Sequence, residues 1–442
     1  MTRHDRGGSP LWTPNSPQGL DRRSVLKGAA ALGGLAAVPS LAACGEGGGS
    51  SGGAHSASLG SNFSDKVPKK ALAAVLDGFE KAEGVTVDIN TVDHESFQEN
   101  ITSYLQGGPD DVLAWFAGYR MRFFAKQGYL ADINDLWSEW GGDYSAAFKQ
   151  ASTGADGNQY FVPFYYYPWA VFYRKSLFAE KGYSIPKTID DFTALCKEMA
   201  SDGLTPIAFA DKEGWPALGT FDVLNFRKNG YDFHMSLMRG EESWDDDRVK
   251  AVFSTWRDLL PYHQKGALGK DWLDSAAGLV NKKAGMMYLG MFIGQAFTNK
   301  EDHEDLDYFP FPEINPEYGQ DTIDAPIDGW LLAQDPSNED SAKKLLSYFA
   351  STGGQEIYLK LDPNNVAANV KADTSHYNAL QKKAVKTVGS AKHISQFLDR
   401  DTDPSFASNV MIAAVQKFLN NPKDIDGLTA SIEKQAKTIF DK

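Results

Sequence analysis

The residues of this chain best suited to chemistry are aromatic rings set beside small polar or acidic residues. Residues 159–175 are unusually rich in rings, and several shorter segments repeat the combination. Aromatic faces can cover the apolar C–H faces of a sugar ring, while carboxylates accept hydrogen bonds from its hydroxyl groups. A carbohydrate cleft requires this mixture. The candidates are Trp115, Tyr119, Tyr167, Trp169, Trp215, Phe292, Asp328, Gly329 and Trp330.

The ring-rich stretch also admits a plainer interpretation as a buried strand pair, because aromatic residues favour strands. Pro163 and Pro168 interrupt it, and proline cannot donate to a central strand ladder. The sequence therefore predicts strands at residues 160–164 and 170–173, with an irregular segment between them. At that segment the chain would cross between two structural halves and meet a ligand.

Motifs for other chemistries are missing from the sequence. It has no Walker pattern, no G-x-G-x-x-G fingerprint, no G-x-S-x-G elbow and no H-E-x-x-H pair, so no cofactor and no zinc site is predicted. Asp399, Asp401 and Asp403 resemble the start of a calcium loop, but Pro404 stands where that loop needs glycine. We interpret these acids as solvated or as pointing into a cleft. No motif supports catalysis, so the sequence predicts a binding protein and not an enzyme.

The length and charge of the chain limit its class. A chain of 442 residues is too long for one compact core, which predicts two lobes. The formal net charge of −14, without basic runs, argues against nucleic acid or an anionic membrane surface as a partner. No apolar run reaches the ~20 residues that a membrane-spanning helix needs.

The N-terminus carries the features of an export signal in the right order. Arg22 and Arg23 precede a Gly/Ala/Leu-rich stretch that ends in the sequence LAAC at Cys44. This order predicts a twin-arginine signal peptide over residues 1–43, with lipid attached to Cys44 at a lipobox. A Gly/Ser-rich tether over residues 44–58 would then let the folded body stand off from the membrane.

Periodic patterns place the candidate residues on an α/β framework. Apolar residues at helical spacing predict a helix over residues 66–83, and alternation at residues 85–90 predicts a strand after it. One uninterrupted helix is predicted over residues 338–358. Strands and helices continue to alternate through the first half, which indicates an α/β fold. Cys196 shares a helical face with Phe192, so we predict a buried core thiol there.

Loose motifs follow one another in a set order along most of residues 58–442. They are Pro109-Asp110-Asp111-Val112 leading to Trp115, Gly128-Tyr129-Leu130, residues 160–164, residues 172–178, Pro186-Lys187-Thr188, Gly285-Met286-Met287 and Gly329-Trp330. Their order and spacing resemble the bacterial extracellular solute-binding proteins of family 1, the sugar-binding subunits of ABC importers.

The resemblance implies an α/β, two-lobed periplasmic-binding-protein-like fold with about three hinge crossings. The implied N-terminal lobe comprises residues 59–167 and 326–366, and the implied C-terminal lobe comprises residues 168–325 and 367–442. The ligand would be enclosed between the two lobes.

The resemblance also assigns roles to individual residues. Trp115 and Tyr119 would lie on the cleft face of the first lobe, and Phe406 would stack on the sugar from the second. Together, the pattern and the resemblance predict a set of ligand-binding residues. They are Asn62, Glu95, Asp111, Trp115, Tyr119, Tyr167, Trp169, Trp215, Phe292, Asp328, Gly329, Trp330, Asp399 and Phe406.

We therefore expect a monomeric lipoprotein on the extracytoplasmic face of the cell membrane. It would capture a mono- or oligosaccharide and deliver it to the transmembrane subunits of an ABC permease. One alternative keeps the fold but binds a glycerophosphodiester or a phosphorylated polyol; it needs a basic cluster, for which Arg120, Arg122 and Arg174 are the candidates. The other alternative is a secreted glycoside-acting enzyme, which needs two carboxyl groups at a set separation.

Overall fold

The computed structural model describes residues 55–441. The predicted signal peptide over residues 1–43 and the predicted lipidation site Cys44 lie outside the described residues, as does most of the predicted tether. Within the described range, none of the helices combines the length and the apolar character needed to cross a bilayer.

Strands and helices alternate along the described range. The strands are β1 (Ser56–Ser61), β2 (Thr86–Thr91), β3 (Val112–Phe116), β4 (Phe161–Tyr166), β5 (Trp169–Arg174), β6 (Thr205–Ile207), β7 (Ala284–Gly290), β8 (Leu306–Phe309), β9 (Thr322–Asp324), β10 (Ile327–Leu332), β11 (Val366–Ala367) and β12 (His393–Ser395). The α-helices are α1 (Lys66–Glu83), α2 (His94–Gln106), α3 (Tyr119–Lys126), α4 (Asn134–Trp140), α5 (Ala146–Ala151), α6 (Lys175–Lys181), α7 (Ile189–Ser201), α8 (Pro216–Met238), α9 (Asp247–Leu259), α10 (Trp272–Val280), α11 (Lys300–Asp305), α12 (Glu339–Ala350), α13 (Thr352–Leu361), α14 (Ala379–Ser390), α15 (Leu398–Asp401), α16 (Pro404–Phe406), α17 (Ile412–Asn420) and α18 (Ile425–Phe440). Short 3-10 turns cover Gly141–Asp143, Leu260–Tyr262, Ala267–Gly269 and Met291–Ala296, and a π-helical segment covers Ala407–Met411.

The first sheet has six strands in the order β11-β4-β10-β3-β1-β2. β1 runs parallel to β2 and β3, whereas β10 runs antiparallel to β3 and β4, so the sheet is mixed. The central strand β3 reads VLAWF and is buried at every position, as expected for a strand covered on both faces. Helix α12 packs against β1, β4 and β10.

The second sheet has four strands in the order β6-β7-β5-β8. β5 is buried along its whole length and runs antiparallel to both β7 and β8. β9 and β12 form a separate parallel pair, and the long helix α8 lies against β7 and β9. The α/β class predicted from the sequence is confirmed by these two mixed sheets.

The chain leaves the first sheet and returns to it through two short links that contain proline. Tyr167 and Pro168 connect β4 to β5, and Ala325 and Pro326 connect β9 to β10. Proline lacks the N–H that would continue a strand ladder, so pairing stops at each link. A third passage follows β11 on the way to α14, which contacts β8.

Pro163 lies inside β4, and the neighbouring strand adjusts to it. Tyr165 pairs with Asp328 and Pro163 pairs with Gly329, so the register shifts and Phe164 is left out of the ladder with β10. Such a β-bulge accommodates a residue that has no N–H to donate. The strand therefore continues past the proline to the crossing.

Two predicted elements differ from the structure. The irregular segment expected after residue 164 is only two residues long, because Tyr165 and Tyr166 pair with both β10 and β11. The single helix predicted over residues 338–358 is wrong. Ser351 has an extended backbone there and begins a second helix by accepting a hydrogen bond from Gly354 N at 3.1 Å.

The prediction of a buried core thiol is confirmed. Cys196 lies on the buried face of α7 with Phe192, Leu195 and Met199. Burial raises the pKa of its thiol to about 12, which keeps the sulfur protonated at neutral pH.

Candidate ligand-binding site

A cavity of about 230 Å³ is lined by residues from both sheets and from the links between them. Its lining includes Asn62 directly after β1, Phe292 after β7, and Tyr167 and Pro326 of the two proline links. The full lining is Asn62, Phe63, Ser64, Asp65, Pro68, His94, Glu95, Tyr165, Tyr167, Trp169, Glu213, Trp215, Asp271, Trp272, Leu273, Phe292, Gln295, Pro326, Asp328, Tyr358, Asn365, Phe397, Asp399 and Arg400.

Aromatic rings of the lining hold one another edge to face. Trp169 meets Trp215 with ring centroids 6.2 Å apart at 86°, and Phe292 meets Trp272 at 5.1 Å and 80°. Tyr167 meets Phe292 at 5.4 Å and 87°. Such contacts fix the ring planes before any ligand binds, since edge-to-face pairs are favourable.

Arg400, in the short helix α15, contacts the first sheet through its guanidinium group. Its Nη1 donates to Asp328 Oδ1 at 3.1 Å, its Nη2 donates to the Tyr167 hydroxyl at 3.3 Å, and its guanidinium lies 3.9 Å from the Phe116 ring centroid. Burial raises the pKa of Asp328, and Arg400 opposes that shift. The cavity thus contains a cation that is already paired.

His94 is a neutral imidazole at physiological pH. Burial lowers its pKa to about 4, and the positive charge of Arg400 acts in the same direction. Arg120 donates to Gln98 Oε1, so Gln98 Nε2 donates to His94 Nε2 at 2.7 Å. The other ring nitrogen, Nδ1, lies 3.3 Å from the amide nitrogen Nδ2 of Asn62.

Besides Asp328 and Asp399, four carboxylates line the cavity, from both sides. Asp65 and Glu95 come from the first-sheet side, and Glu213 and Asp271 come from the second-sheet side. Burial raises the pKa of Glu213 to about 7, and the negative charges of Glu95 and Asp271 add to the shift. Burial also raises the pKa of Asp65, again with Glu95 and Asp271 contributing. These groups can accept hydrogen bonds from ligand hydroxyls.

Eight of the predicted ligand-binding residues lie on the cavity wall. They are Asn62, Glu95, Tyr167, Trp169, Trp215, Phe292, Asp328 and Asp399. Trp169 is nevertheless only 3% exposed, so its side chain also forms part of the hydrophobic core.

Two predicted tryptophans lie in the core of the first sheet and not on the cavity wall. Trp115 is 1% exposed and packs between Phe97 and Phe124, with ring centroids 6.2 and 5.7 Å away. Trp330 is fully buried and stacks on Phe349 at 4.0 Å and 10°. Each side chain points to the helix-covered face of its strand, because neighbouring positions of a strand face opposite sides.

Asp111 and Gly329 were also predicted in the site and lie elsewhere. Asp111 is buried at the start of β3, where its side chain accepts hydrogen bonds from Ser58 N and Ser337 N. At Gly329, a Cβ would come within 2.0 Å of the Val162 carbonyl oxygen. The first residue therefore ties loops together, and the second permits close strand packing.

Phe406 and Tyr119 lie outside the cavity lining as well. Phe406 is fully buried between Trp244 and Phe440, at ring distances of 5.2 Å each. Tyr119 begins α3 and stacks against Phe123 at 6.5 Å. From the residue type alone, an aromatic side chain that packs in the core could not be distinguished from one that lines the cavity.

The acids that resemble a calcium loop have separate roles. Asp399 lines the cavity, and Asp401 accepts hydrogen bonds from Ser395 Oγ at 2.9 Å and Gln396 N at 2.8 Å. Asp403 caps α16 through Ser405 N. No group of three or more His, Cys, Asp and Glu side chains within residues 55–441 has a metal-binding arrangement.

Several lining residues escaped the sequence analysis although a signal was present. Asp271 precedes Trp272 directly, and Glu213 lies two positions before Trp215, which is the same acid–aromatic pairing that marked Asp328. Trp272 was not among the predicted residues, and neither was Arg400, which stands between Asp399 and Asp401. Phe397 has a positive φ of 100°. No sequence pattern predicted this backbone conformation.

The comparisons with known proteins agree with this geometry. The family model described as bacterial extracellular solute-binding protein matches residues 60–356. The chain belongs to this family. This solute-binding protein is also 28% identical over 293 residues to an ABC transporter extracellular-binding protein, PH1214 of Pyrococcus horikoshii, and the match spans 65% of each chain. The multiple sugar-binding protein of Streptococcus mutans is 23% identical over 66% of this chain and 70% of that protein.

Solved structures show the same architecture. The bacterial solute receptor AcbH, described as preferring β-D-galactopyranose exclusively, is 48% identical, with a TM-score of 0.85 over 87% of this chain and 99% of AcbH. A maltose-bound MalE3 of T. maritima has 16% identity and a TM-score of 0.73 over 87% of this chain and 99% of that one. The predicted family, the binding-protein fold and the absence of enzymatic function in such receptors are therefore confirmed.

Proposed function

The protein is an extracellular sugar-binding protein of an ABC transporter, and we propose that its ligand is a single neutral hexopyranose. The observation that carries this proposal is the cavity, where rings and carboxylates surround about 230 Å³. Pockets for drug-sized ligands measure about 300–1,000 Å³, so this cavity suits one sugar ring better than a long oligosaccharide.

Galactose in its pyranose form is the first candidate. AcbH, whose described preference is β-D-galactopyranose, shares 48% of its residues with this chain. Relatives named for multiple sugars, α-glucosides and diacetylchitobiose share 23%, 24% and 25%, and they are weaker guides. In the proposed complex, Trp169, Trp215 and Phe292 pack on the C–H faces of the ring. The surrounding carboxylates accept its hydroxyl protons.

Ligand capture is proposed to close two lobes around the sugar. The lobes are residues 59–167 with 326–366, and residues 168–325 with 367–442. The proline links between β4 and β5 and between β9 and β10 support these boundaries. A ligand that contacts both lobes stabilises the closed form, because the open form offers it only one wall.

Delivery is proposed to follow the route expected from the sequence. A twin-arginine signal exports the chain, lipid on Cys44 anchors it as a monomer, and the closed form docks on permease transmembrane subunits. The order of Arg22, Arg23 and Cys44 along the N-terminus supports the first two steps.

The arrangement of charges disfavours the phosphorylated alternative. Arg174 is engaged with Asp302 and Asp305, and Arg122 donates to backbone carbonyls. Arg400 reaches the cavity but is paired with Asp328. A phosphate would therefore face mostly carboxylates, which repel it.

Calorimetric titration with galactose, glucose, lactose and glycerol 3-phosphate tests the proposal. We expect galactose to bind with a Kd near 1 μM, about −8 kcal/mol, and to be preferred over the others. Trp215→Ala should abolish most of this affinity. Trp140→Ala, which changes a half-buried tryptophan outside the cavity, should leave it unchanged. Binding of glycerol 3-phosphate without binding of any sugar would reverse the assignment.

A further inference from the structure

A second cavity lies on the other side of one wall of the sugar cavity. It measures about 130 Å³, and its lining includes Trp169, Arg227, Tyr288, Asp324, Thr387 and Ala391. We call it the rear chamber. Trp169 lines both cavities, so its indole forms the shared wall. The indole Nε1 is buried there without an acceptor.

Asp324 brings an unsatisfied carboxylate to the rear chamber. Its side chain is 1% exposed, and neither oxygen has a hydrogen-bond partner among the described residues. The Tyr288 and Ser395 hydroxyls lie near it without ordinary hydrogen-bond geometry, and Ser395 donates to Asp401 instead. Buried polar groups are nearly always hydrogen-bonded, so this carboxylate calls for a donor from outside the chain.

Arg227 lies in the same lining and is 3% exposed. Its Nε donates to the Phe311 carbonyl at 3.0 Å and its Nη1 donates to the Thr322 carbonyl at 2.8 Å. Within the described part of the chain, no carboxylate lies in ion-pair contact with this guanidinium. The chamber therefore presents a buried guanidinium and a buried carboxyl group that do not contact each other, and burial raises the pKa of the Asp324 carboxyl well above its ordinary value.

The charge and size of the rear chamber restrict what it can hold. Arg227 already donates to two backbone carbonyls, and Asp324 is the one acidic side chain among the described residues of the lining, so a neutral guest with hydroxyl groups is favoured. A hydroxyl group suits both, because it accepts from the guanidinium and donates to the carboxylate. About 130 Å³ corresponds to about four water molecules in the liquid, which is too little for a sugar ring.

We propose that the rear chamber is a second binding site, separate from the sugar cavity, for a short neutral polyol such as glycerol. Its hydroxyls bridge Asp324 and Arg227, and its carbon chain lies along the Tyr288 and Trp169 rings. Thr387 in the last turn of α14 and Ala391 directly after that helix are partly exposed members of the lining.

Ligand-observed saturation-transfer NMR with glycerol as the probe tests this site in the mature protein. We expect transfer to glycerol to persist when galactose saturates the first cavity. Ala391→Trp, which fills the chamber from its partly exposed rim, should weaken glycerol binding about tenfold or more. Lys386→Trp adds the same ring at an exposed position of α14 outside the lining and should leave binding unchanged.

Two results overturn the proposal. If galactose displaces glycerol, the probe shares the sugar cavity. If wild-type protein gives no transfer and crystals soaked in glycerol show only ordered water beside Asp324, the chamber is merely hydrated. If galactose itself fails to bind, glycerol binding by Ala391→Trp and Lys386→Trp still tests whether the rear chamber is a binding site, because that comparison requires no sugar.

Discussion

The indole Nε1 of Trp215 donates a hydrogen bond to Glu95 Oε1 at 3.2 Å, although the two residues are 120 positions apart. Glu95 lies in the first turn of α2, where the helix dipole favours a carboxylate, and Trp215 caps α8. One helix belongs to the first-sheet side of the cavity and the other to the second. The bond therefore joins two walls of the cavity directly.

Trp215→Phe removes this bond and keeps a ring on the wall. Hydrogen bonds to charged groups contribute about 1.5–3 kcal/mol, so we expect galactose affinity to fall about tenfold or more. Calorimetry measures the change, and Glu95→Gln, which keeps an acceptor oxygen, should cost less. An unchanged Kd in Trp215→Phe would show that the bond does not hold the closed form.

Trp169→Ala should reduce stability as well as binding. The indole is 3% exposed and lies 4.6 Å from the Phe397 ring, and a Cβ at Gly219 would come within 2.6 Å of it. Removing a buried aromatic ring costs about 3–5 kcal/mol, so we expect a loss of that size in urea unfolding of the unliganded protein. Trp169→Phe should recover part of it. A full loss of binding at wild-type stability would place the ring outside the core.

Glu213 should make stability depend on pH. Burial, with Glu95 and Asp271 adding and Lys212 opposing, raises its pKa from 4.5 to about 7. The folded state then binds more protons than the unfolded state between these values, so stability falls as pH rises from 4.5 to 7 and levels off above. Solvent screens this half-buried group, so we expect about 1 kcal/mol or less.

The melting temperature of Glu213→Gln checks this expectation. The variant should match wild type near pH 5 and exceed it near pH 8, because only wild type carries the charge at the higher pH. Glu317→Gln, at an exposed position, is the control and should follow wild type throughout. A constant difference between Glu213→Gln and wild type across this range would contradict the assignment.

Gly329→Ala should destabilise the first sheet without touching the ligand. An added Cβ would lie 2.0 Å from the Val162 carbonyl oxygen at the bulge beside Pro163, so backbone must move. Forced shifts of this kind cost about 1–3 kcal/mol. Gly353→Ala, at an exposed helical glycine with no atom closer than 3.9 Å, should be neutral or stabilising. Chemical unfolding measures the contrast, and equal effects would refute it.

Local patterns predicted most of the framework. Alternation and helical spacing located α1 and β2, and Cys196 was placed correctly because its face follows one helical repeat. The split at Ser351 was missed because capping by Ser351 competes locally with helix continuation, and apolar spacing persists across it.

The residues of the cavity wall were harder to predict because contact with the cavity depends on where a residue lies along its strand. Trp330 and Asp328 are two positions apart on β10, yet Asp328 reaches the cavity and Trp330 stacks in the core. Asp328 lies at the end of β10 next to the link at Pro326, whereas Trp330 lies inside the strand, and residue type does not reveal this difference. Arg400 binds Asp328, which is 72 positions away in the sequence. A local periodic pattern cannot predict a contact over that distance.

The proline in each of the two short links limits how such a hinge can turn. Pro168 and Pro326 have fixed φ angles, and the residue before each is restricted to extended conformations. Torsional freedom is then concentrated in few bonds, so the proposed opening and closing would follow a narrow path with little entropy to lose. If the proposed closure turns at these links, a substitution on the cavity wall changes contacts to the sugar and leaves the hinge bonds untouched.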